Sequence, residues 1–307
     1  MKVKSDQKIL IPVLLFVNIF LFAAVILIHA GINKISTQTI SGLDDTYSIP
    51  YLPRQVSDQI KVGSRAYIIY DSKSRAAIIG KNEKLRFAPA SSVKIMTAII
   101  ALEYYDPEQV LTAENLNVVE GSKMKLVEGE KITVINLLYG LMLPSGNDAA
   151  YVLAQNFPGG MEAYVKKMNE KAKELDLQNT KFIDPAGYDD NNYTTAYDLA
   201  RLGAYALKNP QLAKIVSTKS ISVTDVSGQI IHQLVNLNEL LGIEGITGIK
   251  TGFTDEAGGV LVTSYGRGDR TYIIVVLNSS DRFADTKNVI QEAILRITGR
   301  FIKTKLN

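Results

Sequence analysis

Residues Ile246–Leu277 read ITGIKTGFTDEAGGVLVTSYGRGDRTYIIVVL. Three runs in this stretch, Ile246–Phe253, Val260–Ser264 and Tyr272–Leu277, are rich in β-branched and aromatic residues, the pattern of strands. The Gly-rich turn Gly266-Arg267-Gly268-Asp269 joins the last two. Far upstream, Ala66-Tyr67-Ile68-Ile69-Tyr70 and Ala76-Ala77-Ile78-Ile79 flank the polar stretch Asp71-Ser72-Lys73-Ser74 and read as a hairpin. Between these strand regions the apolar spacing is helical, at Ile95, Ile99 and Leu102 and again at Ile135, Leu138 and Leu141. Met161–Leu177 and Thr195–Leu207 continue it, and Asp285–Ile302 has the spacing of a last amphipathic helix. Strands, helices, strands and a helix predict an α+β fold: an antiparallel sheet completed by a distant hairpin, with helices inserted between. There is no internal repeat.

Composition removes whole classes of chemistry. Of 307 residues 46% are hydrophobic and 21% charged, so the chain is globular. The formal charge is +3, and Lys2, Lys4, Lys8 and Asp6 supply +2 of it, which leaves a near-neutral body with no electrostatic case for nucleic acid. No cysteine is present, which excludes disulfides, thiolate metal sites and thiol nucleophiles. His29 and His232 are the only histidines, too few for most metal sites, and they make a Ser-His-Asp triad a poor expectation. Acid–base chemistry is left to Lys, Asp, Glu or Tyr.

Ile9–Ile28 is apolar except for Pro12 and Asn18. As a helix at ~1.5 Å per residue it would reach about 30 Å, the thickness of a bilayer core. The lysines ahead of it place that end in the cytoplasm and the body outside. A cleaved signal peptide is the alternative, opposed by the length of the run and the absence of a clean small-x-small cleavage site. We therefore expect residues 1–31 to be a cytoplasmic end and transmembrane anchor, 32–61 a polar tether with Pro50 and Pro53, and 62–307 the catalytic domain. His29 would sit at the membrane interface.

Three short motifs punctuate the body. Pro89-Ala90-Ser91-Ser92-Val93-Lys94 opens the apolar run Ile95–Leu102. On a helix Ser91 and Lys94 share a face, and a neutral amine beside a serine hydroxyl can take its proton. Burial disfavours the ammonium and helps Lys94 act as that base. An N-cap serine followed by a snorkelling lysine is the ordinary meaning of the same spacing, which also recurs at Ser5/Lys8 and Ser122/Lys125. Pro144-Ser145-Gly146-Asn147-Asp148 can be a turn and helix cap. It can also place Ser145 as a proton relay and the Asn147 amide on a substrate carbonyl. Gly248-Ile249-Lys250-Thr251-Gly252-Phe253 can be an edge strand guarded by a lysine. Alternatively Lys250 and Thr251 bind a carboxylate, with Gly252 allowing a close backbone approach.

Taken together in this order, the motifs resemble the Ser-x-x-Lys, Ser-Asp-Asn and Lys-Thr-Gly set of class A β-lactamases and penicillin-binding proteins. The middle motif here carries Gly146 in place of Asp, and Pro89-Ala90-Ser91 and Met96-Thr97 frame the first. In that form the chain is similar to the D-alanyl-D-alanine carboxypeptidases of peptidase family S11 from about Ala66 to Thr286, including Asn192–Asp198 and Gly245–Thr254. The resemblance implies the penicillin-recognising serine fold, a five-stranded antiparallel sheet flanked by helices with a mainly helical subdomain. It implies Ser91 as the acylated nucleophile, Lys94 as its general base, and Ser145 and Asn147 as the second wall. Lys250 and Thr251, with help from Arg282, would hold the terminal carboxylate. Ser91 and Phe253 would give the backbone N–H groups of an oxyanion hole. No metal or organic cofactor is implied. The partners implied are peptidoglycan stem peptides ending in D-Ala-D-Ala, β-lactam antibiotics as covalent inhibitors, and the membrane through the N-terminal segment.

Two departures stand out. Asp184-Pro185-Ala186-Gly187 occupies the place of an Asn-Pro-x-Gly loop in which many relatives carry His or Thr. The N-terminal segment is expected to give the membrane attachment that several relatives place at their C-terminus. His232, in a β-like stretch, reads as structural. The readings in competition are a membrane-anchored serine DD-peptidase, a β-lactamase and a non-catalytic β-lactam sensor. The stretch from Phe182 to Asn192 lacks the Glu-x-x-x-Asn that activates deacylating water in class A β-lactamases, and all the motif side chains needed for turnover are present.

Overall fold

The computed structural model describes residues 60–294. The expected anchor, His29, almost all of the tether and the end of the expected last helix lie outside the described residues. Among the described residues no helix is long and apolar enough to cross a membrane.

Five strands form one antiparallel sheet: β1 (Ala66–Asp71), β2 (Ala76–Lys81), β7 (Ile246–Thr254), β8 (Gly258–Arg267) and β9 (Arg270–Ser279), in the order β2-β1-β9-β8-β7. The distant hairpin is therefore completed as expected, with Ile68 opposite Val275 and Ile69 opposite Ile274. Both faces of β1 and β9 are covered. Ala66, Ile68, Tyr70, Ile273, Val275 and Leu277 pack in the main core. The alternating residues Tyr67, Ile69, Tyr272, Ile274 and Val276 pack with Val289 in a second layer behind the sheet. That division follows from the two-residue period of a strand. Ile60, two residues before the expected start of the body, already belongs to the rear layer.

Six helices fill the interval between β2 and β7: α1 (Lys94–Tyr104), α2 (Val134–Met142), α3 (Asn147–Gln155), α4 (Gly160–Glu174), α5 (Ala196–Ala206) and α6 (Pro210–Ser217). α1 is buried continuously from Lys94 to Ala101, as a helix apolar on every side must be. Thr195 caps α5 by accepting the Asp198 N–H at 3.0 Å. Two small antiparallel pairs add to this: β3 (Val110–Thr112) with β4 (Lys131–Thr133), and β5 (Ser220–Thr224) with β6 (Ile231–Val235). β6 falls on the β-like stretch around His232, and the other three strands were not expected. The three residues of β3 and of β4 are too few to show a period.

Two boundaries differ from the expectation. β8 and β9 run on to Arg267 and from Arg270, so the turn between them is only Gly268-Asp269, with Gly268 at φ +60°. The last helix, α7 (Arg282–Val289), starts three residues early because the Asp281 carboxylate accepts the N–H groups of Phe283 and Ala284. It continues as a π-turn over Ile290–Ile294. The five-stranded antiparallel sheet and the seven helices of the described residues make the chain an α+β protein, as the order of elements predicts.

Candidate active site

Ser91 lies in a 3₁₀ turn, Ala90–Val93, that runs directly into α1. The Ser92 hydroxyl holds the turn by donating to the Pro89 carbonyl at 2.7 Å. One turn later Lys94 Nζ meets Ser91 Oγ at 2.9 Å, the contact predicted by the i, i+3 spacing. Lys94 has two further partners, Asn147 Oδ1 at 2.6 Å and the Ala186 carbonyl at 2.7 Å. Both can only accept. A neutral amine keeps two N–H donors and one lone pair, so these two acceptors take the donors and turn the lone pair towards Ser91. The lysine itself is fully buried, and burial brings its pKa down to about 7 against the opposing charges of Asp184 and Asp148. Geometry and protonation thus both suit Lys94 to remove the Ser91 proton.

The second wall is α3 and the loop before it. Asn147 donates Nδ2 to the Glu120 carbonyl at 2.6 Å, which fixes the amide so that Oδ1 faces Lys94. One N–H of that amide is therefore committed within the protein. Asp148, buried beside it, accepts the N–H groups of Met124, Lys125 and Leu126 and ties the 121–127 segment to α3. Ser145 is in the left-handed region at φ +65°, and its buried hydroxyl has no hydrogen-bond partner among the described residues. It is a motif hydroxyl free to serve another group.

The third wall is β7. Lys250 and Thr251 are buried, and Lys250 Nζ donates to the Thr251 carbonyl at 3.0 Å. Burial first, and then the charges of Lys94 and Arg282, push the Lys250 amine well below its ordinary value. An anion in the cleft would relieve that crowding. Gly252 permits the close approach expected of it, and the approaching group is the nucleophile's own turn. A Cβ there would stand 3.0 Å from Ala90 Cβ and 3.1 Å from the Ser91 nitrogen. Phe253 is exposed at the cleft mouth. Arg282 opens α7 with its guanidinium 4.7 Å from the Phe283 ring, and its buried Nε has no partner among the described residues.

A cleft of about 410 Å³ is lined by Ser91, Asn147, Gly187, Tyr188 and Phe253, with Asp190, Asp255 and Glu256 as its acidic side. Lys94, Ser145, Lys250, Thr251 and Arg282 are not among its lining residues. Sequence reasoning passed over Asp148, Gly187 and the Ala186 carbonyl, and left the role of the 184–187 loop open. Gly187, at φ +76°, lies so close to the Ser91 turn that a Cβ would be 2.0 Å from the Ala90 carbonyl oxygen. The Asp-Pro-x-Gly pattern is itself a turn signal. His232 is structural, as expected: it is buried on β6 with Nε2 2.7 Å from Glu130 Oε1 and Nδ1 3.2 Å from the Met124 carbonyl.

A family model described as D-alanyl-D-alanine carboxypeptidase matches residues 53–281. The D-alanyl-D-alanine carboxypeptidase DacF of Bacillus subtilis is 35% identical over 225 residues, covering 71% of this chain and 58% of the relative. A D-alanyl-D-alanine carboxypeptidase of a Streptomyces species is 36% identical over 214 residues, 64% of this chain and 74% of that one. The crystal structure of the Streptomyces K15 DD-transpeptidase superimposes with a TM-score of 0.72 at 31% identity, covering 76% of this chain and 98% of that chain. The chain thus spans little more than half of the Bacillus relative and nearly all of the Streptomyces structure. With its three motifs gathered round one cleft, the chain belongs to the D-alanyl-D-alanine carboxypeptidase family of serine peptidases, S11.

Proposed function

We propose that this protein is a serine DD-peptidase that removes the C-terminal D-alanine from peptidoglycan stem peptides through an acyl-Ser91 intermediate, and that penicillins acylate the same serine. The observation that carries this reading is the buried Lys94 amine, held 2.9 Å from Ser91 Oγ with two obligate acceptors on its other sides. The terminal carboxylate of the substrate is read as lying on Lys250 and Thr251 with Arg282 behind, where a buried, crowded ammonium gains from an anion. Lys94 takes the Ser91 proton as Oγ attacks the carbonyl carbon of the penultimate D-alanine. The N–H groups of Ser91 and Phe253 receive the developing oxyanion. The Ser145 hydroxyl passes a proton to the departing amine, and D-alanine leaves. Water then opens the ester and the proton returns to Ser91 Oγ. No metal or organic cofactor enters this sequence of steps.

The chain is further proposed to be held to the cell membrane by Ile9–Ile28, with the catalytic domain on the extracytoplasmic side, a reading supported by the apolar run and the lysines before it. The chemistry is tested by mass spectrometry after incubation with penicillin, together with D-alanine release from a D-Ala-D-Ala peptide. The adduct should map to Ser91, vanish in Ser91→Ala, and persist for minutes to hours, since the ~10²–10⁴-fold contribution of a dedicated deacylating base is absent. Labelling that survives Ser91→Ala would sink the assignment. Rapid penicillin turnover without D-alanine release would favour a β-lactamase.

A further inference from the structure

The carbonyl that faces Lys94 belongs to a loop built on one carboxylate. Asp184 Oδ1 accepts the N–H groups of Ala186 and Gly187, each at 2.6 Å. Oδ2 accepts those of Tyr188 at 3.1 Å and Asp189 at 2.7 Å, and the Asn192 amide at 2.7 Å. Five donors converge on this side chain. The same Asn192 receives the Ile183 N–H at 2.8 Å and closes the base of the loop. On its inner side two hydrogen bonds tie the loop to α1: Thr97 Oγ1 donates to the Pro185 carbonyl at 2.5 Å, and Lys94 Nζ donates to the Ala186 carbonyl. Gly187 lets the chain turn away immediately afterwards, against Ala90.

We propose that Asp184 is a positioning residue for Lys94: its carboxylate folds residues 184–192 so that the Ala186 carbonyl meets Nζ, and its charge acts on the same amine. The inference rests on the acyl-serine reading above. Asp184 itself is neither a motif residue nor a lining residue of the cleft, and it acts through the backbone of Ala186, Gly187 and Tyr188, which do line it. The charged groups that face Lys94 are Asp184 from this loop, Asp148 from α3 and Lys250 from β7. Asp148 is committed to the 121–127 segment, so Asp184 is the one carboxylate that both charges the surroundings of the amine and sets one of its hydrogen-bond partners. Removing the charge while keeping an acceptor leaves the ammonium less supported, so Lys94 loses its proton at lower pH. The amide that replaces the carboxylate also sets an NH₂ against the Asp189 N–H and the Asn192 amide, which moves the Ala186 carbonyl.

The test is the pH dependence of the acylation rate with a fluorescent penicillin, from pH 5 to 9, in the full chain. The D184N variant should show the midpoint of the acid limb lowered by roughly half a pH unit or more, with a plateau rate at least about tenfold lower. D184E keeps the charge but displaces it by one methylene, and should hold the wild-type midpoint with a lowered plateau. An unshifted midpoint in folded D184N, whatever its plateau, overturns the proposal. Should D184N lack a cooperative thermal transition, a wild-type plateau in D184E overturns it equally. A wild-type chain not labelled at Ser91 would refute the acyl-serine reading instead, so the two failures are distinct.

Discussion

Replacing Lys94 by methionine tests the protonation state on which the chemistry depends. Methionine is unbranched and of similar length, so it can follow the same path through the core with little loss of packing. In the wild-type protein burial lowers the Lys94 pKa from 10.5 to about 7 on folding. Each pH unit between those values is worth about 1.4 kcal/mol, so the buried lysine destabilises the fold by about 5 kcal/mol below pH 7. The unfolded chain binds the extra proton, hence wild-type stability rises with pH between 7 and 10.5 and the cost disappears above that window. The methionine variant escapes this cost but strands Asn147 Oδ1 and the Ala186 carbonyl, a pH-independent loss of ~1–3 kcal/mol for each. The difference in unfolding free energy, variant minus wild type, should therefore be constant up to pH 7. It should then fall by about 3 kcal/mol by pH 9.5. Lys250 titrates in both proteins and cancels to first order. Urea unfolding at four pH values measures the difference directly. A difference that stays flat from pH 6 to 9.5 would show that Lys94 is an ammonium in the folded protein, and the general-base role would fall with it.

Gly252→Ala forces a methyl group to 3.0 Å from Ala90 Cβ and 3.1 Å from the Ser91 nitrogen, so strand and turn must separate by a few tenths of an ångström. Acylation by penicillin should slow by about ten- to a hundredfold. Wild-type acylation in a variant confirmed by sequencing would mean that the β7–Ser91 contact is incidental. Deleting residues 1–57 should move the protein from the membrane fraction to the soluble fraction with its D-alanine release intact. Membrane association that persists without that segment would place the anchor elsewhere.

Much of the architecture is legible from periodicity. β1 and β9 are the exception: both of their faces are apolar and pack in two layers, so their strand reading rests on β-branched and aromatic enrichment. The helices with a long apolar period appear where the spacing places them. What the sequence did not disclose was short or capped by side chains: three-residue β3 and β4, and the early start of α7 on Asp281. A period of two cannot be read from three residues, and a cap is set by the side chain of a single residue.

The site divides along the same line. Ser91 and Lys94 are three residues apart, so helical geometry alone brings them together, and no other part of the chain is needed to predict it. The other two partners of Lys94 are 53 and 92 positions away. Whether the lone pair of the amine faces the serine depends on them, and so on the packing of α1 against α3 and the 184–192 loop. The likeness of the motifs to a known family could name Asn147 as a wall of the cleft. It could not show that its amide is turned by the Glu120 carbonyl, or that Asp184 holds the Ala186 carbonyl in place. Local spacing determines which groups can react. Long-range packing determines the desolvation, the acceptor set and the close approach of Gly252 to the Ser91 turn, because each requires segments that meet only when the whole core closes.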